Sequence, residues 1–248
     1  MTYNPFSLEE KTVLVTGASS GIGQATAIEC SRMGARLIIT GRDKQRLETT
    51  LNSLEGEGHS MISADLTVPD ELQKIITSVS HIDGLVLCAG KPKTRPILFC
   101  TREEIEDVFE INFISTVELM RLLLKKKIIG KGGSIVFVSS IGGTRSYSVG
   151  NGAYSASKSA LDAIMKTAAR ELGPKYIRVN SVNPGMVNTK LILEGSFSNE
   201  QLQADQKTYP LQRYGEPIDI ASGIIYLLSD AASWVTGHQL VIDGGKTI

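Results

Sequence analysis

Tyr154 and Lys158 lie four residues apart in the stretch GAYSASKSA, a phenol and an ammonium set among small side chains. A free phenol ionises at about pH 10, too high to trade protons at neutral pH. A fixed positive charge beside it favours the phenolate and lowers that value. Residues at i and i+4 of a helix share a face, so a helix here would hold Lys158 against Tyr154. The expected chemistry is general acid catalysis by the phenol and general base catalysis by the phenolate. Taken alone, the same spacing fits an ordinary pair on a helix surface.

A second group is the run Thr16-Gly17-Ala18-Ser19-Ser20-Gly21-Ile22-Gly23 that follows TVLVT. Glycines let the backbone turn tightly and approach a ligand, and a helix N-terminus offers free N–H groups to a pyrophosphate. The spacing is not the usual G-x-G-x-x-G of dinucleotide folds, and no Gly-Lys-Ser/Thr ending marks an ATPase-type phosphate loop. Gly17, Ser19, Ser20, Gly21, Ile22 and Gly23 are therefore expected to cradle a dinucleotide. The next apolar run ends at Thr40-Gly41-Arg42. An acid there would accept a hydrogen bond from a ribose 2′-hydroxyl, whereas an arginine pairs with a 2′-phosphate. Arg42 predicts NADP(H) in preference to NAD(H), and Asp43 is expected to cap the following helix.

These residues need a scaffold. Apolar runs at 12–16, 36–40, 60–63, 84–88, 134–139, 177–182 and 239–243 read as strands buried on both faces. Amphipathic stretches at about 21–33, 43–55, 69–79, 101–127, 153–172 and 217–229 read as helices between them. Pro69 and Pro217 suit first helical turns, and Thr101 with Glu104 has capping-box spacing. Alternation of this kind predicts an α/β, single-domain, doubly wound Rossmann fold: a seven-stranded parallel sheet with helices on both faces over residues 1–248. The strandless stretch at about 184–216 is expected to be a substrate loop, because ligands bind at the carboxyl ends of such strands.

Composition narrows the function. Lysine plus arginine and aspartate plus glutamate both number 26 among 248 residues, so no basic surface for nucleic acid is expected. No apolar run approaches the length of a membrane span. The N-terminal MTYNPFSLEEK does not read as a secretory signal. Cys30, Cys88 and Cys100 form no C-x-x-C pair, and His59, His81 and His238 have no metal-ligand spacing. A cytoplasmic protein without a metal is expected.

Taken together in chain order, these motifs resemble the short-chain dehydrogenase/reductases over roughly residues 8–245. T-G-x3-G-I-G lies at 16–23, Asn112 in EINFIST, Ser139-Ser140 after a strand, Y-x3-K at Tyr154 and Lys158, and Asn183-Pro184-Gly185 with Thr189 beyond. The resemblance implies a catalytic set of Asn112, Ser140, Tyr154 and Lys158. Ser140 would orient the substrate oxygen, and Asn112 would hold a water that relays protons to Lys158. Asp65 would reach the adenine, Ala89 and Gly90 would lie beside the cofactor ribose, and Thr189 would reach the nicotinamide carboxamide; Leu66, Pro184, Gly185 and Val187, with Tyr154 and Lys158, would also bind the cofactor. Where the family often reads Asn-Asn, this chain has Leu87-Cys88, which leaves open how that strand end is pinned; Cys88 reads as a small buried hydrophobe.

Ile141, Tyr147, Val149, Met186, Leu191, Ile192 and Phe197 are expected to form a mostly apolar pocket wall. The tail YPLQRYGEPIDIASGIIYLLSD is most similar to that of 3-oxoacyl-(acyl-carrier-protein) reductases, with Lys131 and Lys175 as candidate contacts for an acidic carrier protein. Dehydrogenases of sugars, steroids or other secondary alcohols share much of it. A non-catalytic, dinucleotide-binding redox sensor is the alternative from another class. The resemblance also implies a homotetramer or homodimer.

Overall fold

The computed structural model describes residues 3–189 and 198–248. Seven strands form one sheet: β1 (Thr12–Thr16), β2 (Arg36–Gly41), β3 (Ser60–Ser63), β4 (Ile82–Leu87), β5 (Ile129–Val138), β6 (Arg178–Pro184) and β7 (Gln239–Ile242). Their spatial order is β3-β2-β1-β4-β5-β6-β7, and every pairing is parallel. The order reverses between β1 and β4, which creates the crevice where ligands of doubly wound sheets bind.

Successive strand side chains point to opposite faces, so the central strands feed two cores. Leu14, Leu85, Ile135, Phe137 and Val179 pack on one face against Leu72 and Ile75 of α3 (Pro69–Ser78), Leu119 of α5 (Ser115–Lys125) and Leu161 of α6 (Gly152–Leu172). Val13, Val15, Val86, Val136 and Val182 pack on the other. There they meet Ala27 and Cys30 of α1 (Gly21–Arg32), Leu47 of α2 (Lys44–Leu51), and Ile220 and Ile224 of the helix Pro217–Leu228. Burial on both faces explains why the strands are apolar nearly throughout.

The expected helix ends are largely present. Asp43 accepts a hydrogen bond from the Arg46 N–H at 3.0 Å and caps α2. Pro69 and Pro217 open their helices, and Thr101 and Glu104 form a reciprocal capping box on α4 (Arg102–Phe109). The expected single helix over 101–127 differs. Between α4 and α5, Glu110–Ile114 is a π-turn, with the Ser115 N–H donating to the Glu110 carbonyl five residues back. A widened turn inserts one residue and re-aims the side chains on it, and Asn112 lies within it. β5 begins earlier than expected because Ile129 already pairs with Ile82; the register shifts before Ser134 pairs with Gly84.

The stretch after β6 holds an isolated bridge between Val187 and Gly215 and the helix α7 (Asn199–Gln206), opened by a capping box of Ser198 and Gln201. The helix Pro217–Leu228 is α8. Among the described residues, no helix is long and apolar enough to cross a membrane.

Candidate active site

Two turns of small residues face each other across the crevice. Gly17 has φ +66°, and a Cβ on it would lie 3.0 Å from the Ala89 Cα. Gly21 has φ +56° and sits beneath Thr189, whose Cγ2 would be 3.2 Å from an added Cβ. Gly23 lies so close to the Gly17 carbonyl oxygen that no side chain fits between them. The cradle therefore has room only for a ligand that approaches bare backbone, as a pyrophosphate does at a helix N-terminus. Ser20, extended at the N-cap of α1, makes no capping bond with its side chain. Leu66 and Val187 are buried, and Ile22 packs against the core beneath the loop.

Thr16 answers how the end of β4 is pinned without the asparagines. Its hydroxyl donates to the Val86 carbonyl at 3.3 Å and accepts from the N–H groups of Cys88 and Ala89 at 3.0 and 3.1 Å. One hydroxyl thus ties β1 to the turn after β4. Burial pushes the Cys88 thiol up to about 11, so it is a neutral thiol at physiological pH, consistent with a packing role.

The ends of β2 and β3 bring Arg42 to Asp65, with Nη1 3.5 Å from Oδ2. Asp65 also accepts from the Thr67 N–H and hydroxyl at 2.9 and 2.7 Å. Partial burial would raise the Asp65 carboxyl, but the Thr67 bonds and Arg42 outweigh it and leave it below its ordinary value.

α6 carries Tyr154 and Lys158 into the crevice. Lys158 is 4 % exposed, and its Nζ donates to the Val138 carbonyl at 2.8 Å, 5.9 Å from the centre of the Tyr154 ring. Burial pulls its ammonium down to about 8, against opposing pulls from Cys88 and Asp162. Gly90 makes room for it: a Cβ there would lie 3.3 Å from Lys158 Nζ and 3.0 Å from Asn112 Oδ1. Contrary to the expectation that the lysine lowers it, the Tyr154 phenol lies above its ordinary value. Loss of water around it prevails over the Ser140 hydroxyl, which pulls the other way.

The two serines after β5 separate cleanly. Ser139 is buried, its hydroxyl 2.9 Å from Asp162 Oδ2 and 3.1 Å from the Lys158 carbonyl oxygen. Ser140 faces the cleft, where its Oγ accepts from the Gly142 N–H at 3.0 Å in the turn beside Tyr154. Asn112, which the resemblance implied would hold a water, is itself tied to neighbouring residues through its side chain. Its amide donates to the Lys91 carbonyl at 3.1 Å and the Ser157 hydroxyl at 3.0 Å, and its Oδ1 accepts from the Lys91 N–H at 2.8 Å. Both amide hydrogens are spent on protein, and Ser157 passes the bond on to the Tyr154 carbonyl at 2.7 Å. Asn112 thus braces the base of α6.

Pro184 ends β6, and Gly185 closes on Asp243, whose Cα would be 3.1 Å from an added Cβ. Of the expected pocket wall, Ile141 is buried and Met186 half-buried, while Tyr147 and Val149 are 73 % and 91 % exposed and stand on a rim. Leu191, Ile192 and Phe197 lie outside the described residues. Lys131 and Lys175 do not stand near the pocket mouth. Lys131 lies in the first residues of β5, and Lys175 lies beyond the C-terminus of α6, just before β6 begins. That is the amino end of the parallel strands, opposite the crevice.

Sequence reading missed Asp162, which is 3 % exposed. The signal was present: Tyr154, Lys158 and Asp162 recur at intervals of four on one helical face. Among the described residues, no cluster of histidine, cysteine and acidic side chains could hold a metal ion.

A bare-backbone glycine turn at the switch point, with a phenol, a serine and a buried ammonium in the same crevice, is the arrangement of a nicotinamide-dependent oxidoreductase. The comparisons with known proteins give the family. The family model for enoyl-(acyl carrier protein) reductase matches residues 17–247. A 3-oxoacyl-(acyl-carrier-protein) reductase of Rickettsia bellii is 32 % identical over 238 residues, 96 % of this chain and 97 % of its own. A D-erythrulose reductase of Gallus gallus is 33 % identical over 240 residues, 96 % of each chain. The structure of Pseudomonas aeruginosa RhlG in an NADP active-site complex superposes with a TM-score of 0.92 at 28 % identity, covering 99 % of this chain and all of that one. The chain belongs to the short-chain dehydrogenase/reductase family, oxidoreductases that act on carbonyl and alcohol groups.

Proposed function

We propose that this protein is an NADP(H)-dependent reductase that interconverts a ketone and a secondary alcohol, with Tyr154 as the general acid/base and 3-oxoacyl thioesters as its first substrate class. The observation that carries this reading is the convergence of Ser140 and Lys158 on Tyr154, with Lys158 Nζ 5.9 Å from the centre of the Tyr154 ring and the Ser140 hydroxyl beside the phenol. The residues fit a dinucleotide: Gly17, Ser19, Ser20, Gly21, Ile22 and Gly23 would hold its pyrophosphate, and Arg42 its 2′-phosphate. Asp65 and Leu66 would meet the adenine, and Ala89, Gly90, Pro184, Gly185, Val187 and Thr189 the nicotinamide half. When bound, the cofactor supplies a hydride to the carbonyl carbon.

The chain's own residues do the rest. The Ser140 hydroxyl donates to the substrate oxygen and orients the carbonyl. Tyr154 gives its proton to that oxygen as negative charge develops on it. The buried Lys158 ammonium stabilises the phenolate left behind, strongly because its surroundings exclude water. Asn112 keeps Tyr154 in place through Ser157. In the free protein Tyr154 carries its proton, because burial raises the phenol above its ordinary value.

Small hydroxylated ketones are the second reading. The basic residues after β4 are all paired: Lys91 with Asp107 at 2.5 Å, and Lys93 and Arg95 with Glu104 at 2.7 and 3.3 Å. That leaves less free charge for an acidic carrier protein, and the similarity to an erythrulose reductase points the same way. Folding of the whole chain as one domain and assembly as a homodimer or homotetramer belong to this reading. Exposed Ile97, Leu98, Phe99 and Ile114 support the assembly.

NADPH oxidation with a panel of 3-oxoacyl thioesters, diketones and ketoses tests the proposal. Turnover of a member that is abolished in Tyr154→Phe is expected. Tight NADPH binding without turnover of any carbonyl would favour a redox sensor instead.

A further inference from the structure

Asp162 is a buried acid that the proposed chemistry does not use, and its surroundings are built to hold a carboxylate. Its Oδ1 accepts from the Ser181 hydroxyl at 2.7 Å. Its Oδ2 accepts from the Ser139 hydroxyl at 2.9 Å and the Asn183 amide at 2.8 Å. Asn183 also donates to the Ser140 carbonyl at 3.2 Å. Three donors from β6 and the end of β5 therefore fix the acid, and one of them reaches the backbone of the serine expected to orient substrate.

An uncompensated charge in the interior is costly. Lys158, one helical turn before Asp162, is as deeply buried, at 4 % against 3 % exposure. Its hydrogen-bond partner among the described residues is the neutral Val138 carbonyl. The titratable groups that act on it are Cys88 from the end of β4 and Asp162 from its own helix, with Tyr154 on the same face. Tyr154 is a neutral phenol before the reaction, and Cys88 a neutral thiol. Ser139, Ser181 and Asn183, which meet Asp162 from the strands beneath its helix, do not titrate. Among the described residues, the acid on the same helical face as Lys158, one turn on and equally buried, is Asp162.

We propose that Asp162 is a positioning residue whose carboxylate, held by Ser139, Ser181 and Asn183, is the buried counter-charge that keeps Lys158 an ammonium beside Tyr154. This rests on the proposed reductase function, in which the ammonium stabilises the Tyr154 phenolate. The acid needs no contact with substrate or cofactor. It acts through the field it places on Lys158 and through the strand end it ties down.

The test is a pH titration of the Lys158 ε-carbon by NMR, with lysine labelled at that carbon and the signal assigned by its loss in Lys158→Met. Wild type, Asp162→Asn, Asp162→Ser and Ser181→Ala are compared without substrate, so the reading does not depend on turnover. Removing the charge should lower the Lys158 midpoint by about one pH unit, the size of effect a nearby opposite charge has. Ser181→Ala keeps the charge and should leave the midpoint unmoved. The alkaline limb of kcat/KM for carbonyl reduction should move with the midpoint. An unchanged midpoint in the neutral variants, an equal shift in Ser181→Ala, or failure of both neutral variants to fold would make Asp162 a purely structural residue and overturn the proposal. Absence of turnover in the wild type would instead count against the reductase reading, with the NMR result standing apart.

Discussion

Arg42 meets Asp65 where β2 and β3 release the chain, guanidinium Nη1 to carboxylate Oδ2 at 3.5 Å. With Arg42 68 % exposed, the pair contributes little to stability, and the guanidinium remains free to turn toward a phosphate. Gly41 beside it keeps the bay open: a Cβ there would sit 3.3 Å from the Ser19 hydroxyl oxygen. Arg42→Ala should therefore weaken NADPH binding about tenfold or more, the worth of a charge-assisted hydrogen bond, and leave NADH binding nearly unchanged. Adding Gly41→Asp should turn the preference toward NADH. Fluorescence titration with the two cofactors reads both effects, and tighter NADH binding by the wild type would refute the assignment.

Gly90 leaves no space between Asn112 and Lys158, with 3.0 and 3.3 Å to an added Cβ. Gly90→Ala should push the Asn112 amide and the Lys158 ammonium aside by a few tenths of an ångström and lower kcat by roughly severalfold, less than the loss that a misplacement of about 1 Å brings. The melting temperature should change modestly. Full activity in that variant would mean that Lys158 need not lie where the structure places it.

Ser139 and Ser140 differ by one position and should fail differently. Ser140→Ala removes the hydroxyl beside Tyr154 and should lower kcat/KM about a hundredfold with the fold intact. Ser139→Ala takes one donor from buried Asp162 and should cost about 1–3 kcal/mol of stability, read as a lower urea midpoint. The reverse pattern would exchange their roles.

Lys158 sets an expected pH dependence. Its ammonium is lost as pH rises through about 8, so kcat/KM for reduction should fall above that pH, whereas at lower pH the limb is flat with respect to this group. Stability runs the other way. The value is depressed from an ordinary 10.5 to about 8, so the unfolded chain binds more protons in that window. The contribution of Lys158 to stability therefore rises with pH between the two values. Chemical denaturation of wild type and Lys158→Met across that range measures the difference, which should grow in favour of the wild type.

Much of this was legible in the chain. The glycine loop, the Y-x3-K pair and seven apolar runs each depend on local backbone needs or on a repeat along one element. Local physics of that kind is written in residue order: a glycine at positive φ, a proline in a first turn, an acid at an N-cap. So the order of strands and helices, the cradle and the helical face that bears Tyr154 and Lys158 were determined by the sequence itself.

What only the tertiary structure decided depends on groups far apart in the chain meeting in space. Thr16 pins a turn some seventy residues away. The π-turn at Glu110–Ile114 spends the Asn112 amide on Lys91 and Ser157. The parallel direction of the sheet carries Lys131 and Lys175 to the end opposite the crevice. Burial, too, exists only after folding: it lifts the Tyr154 phenol and pulls Lys158 down to about 8, where the residue types alone predicted a phenol lowered by its neighbour. Asp162 joins both lists. Its spacing from Lys158 is plain in the sequence, but the donors from Ser139, Ser181 and Asn183 that make it a held charge appear only once two strands lie beneath the helix.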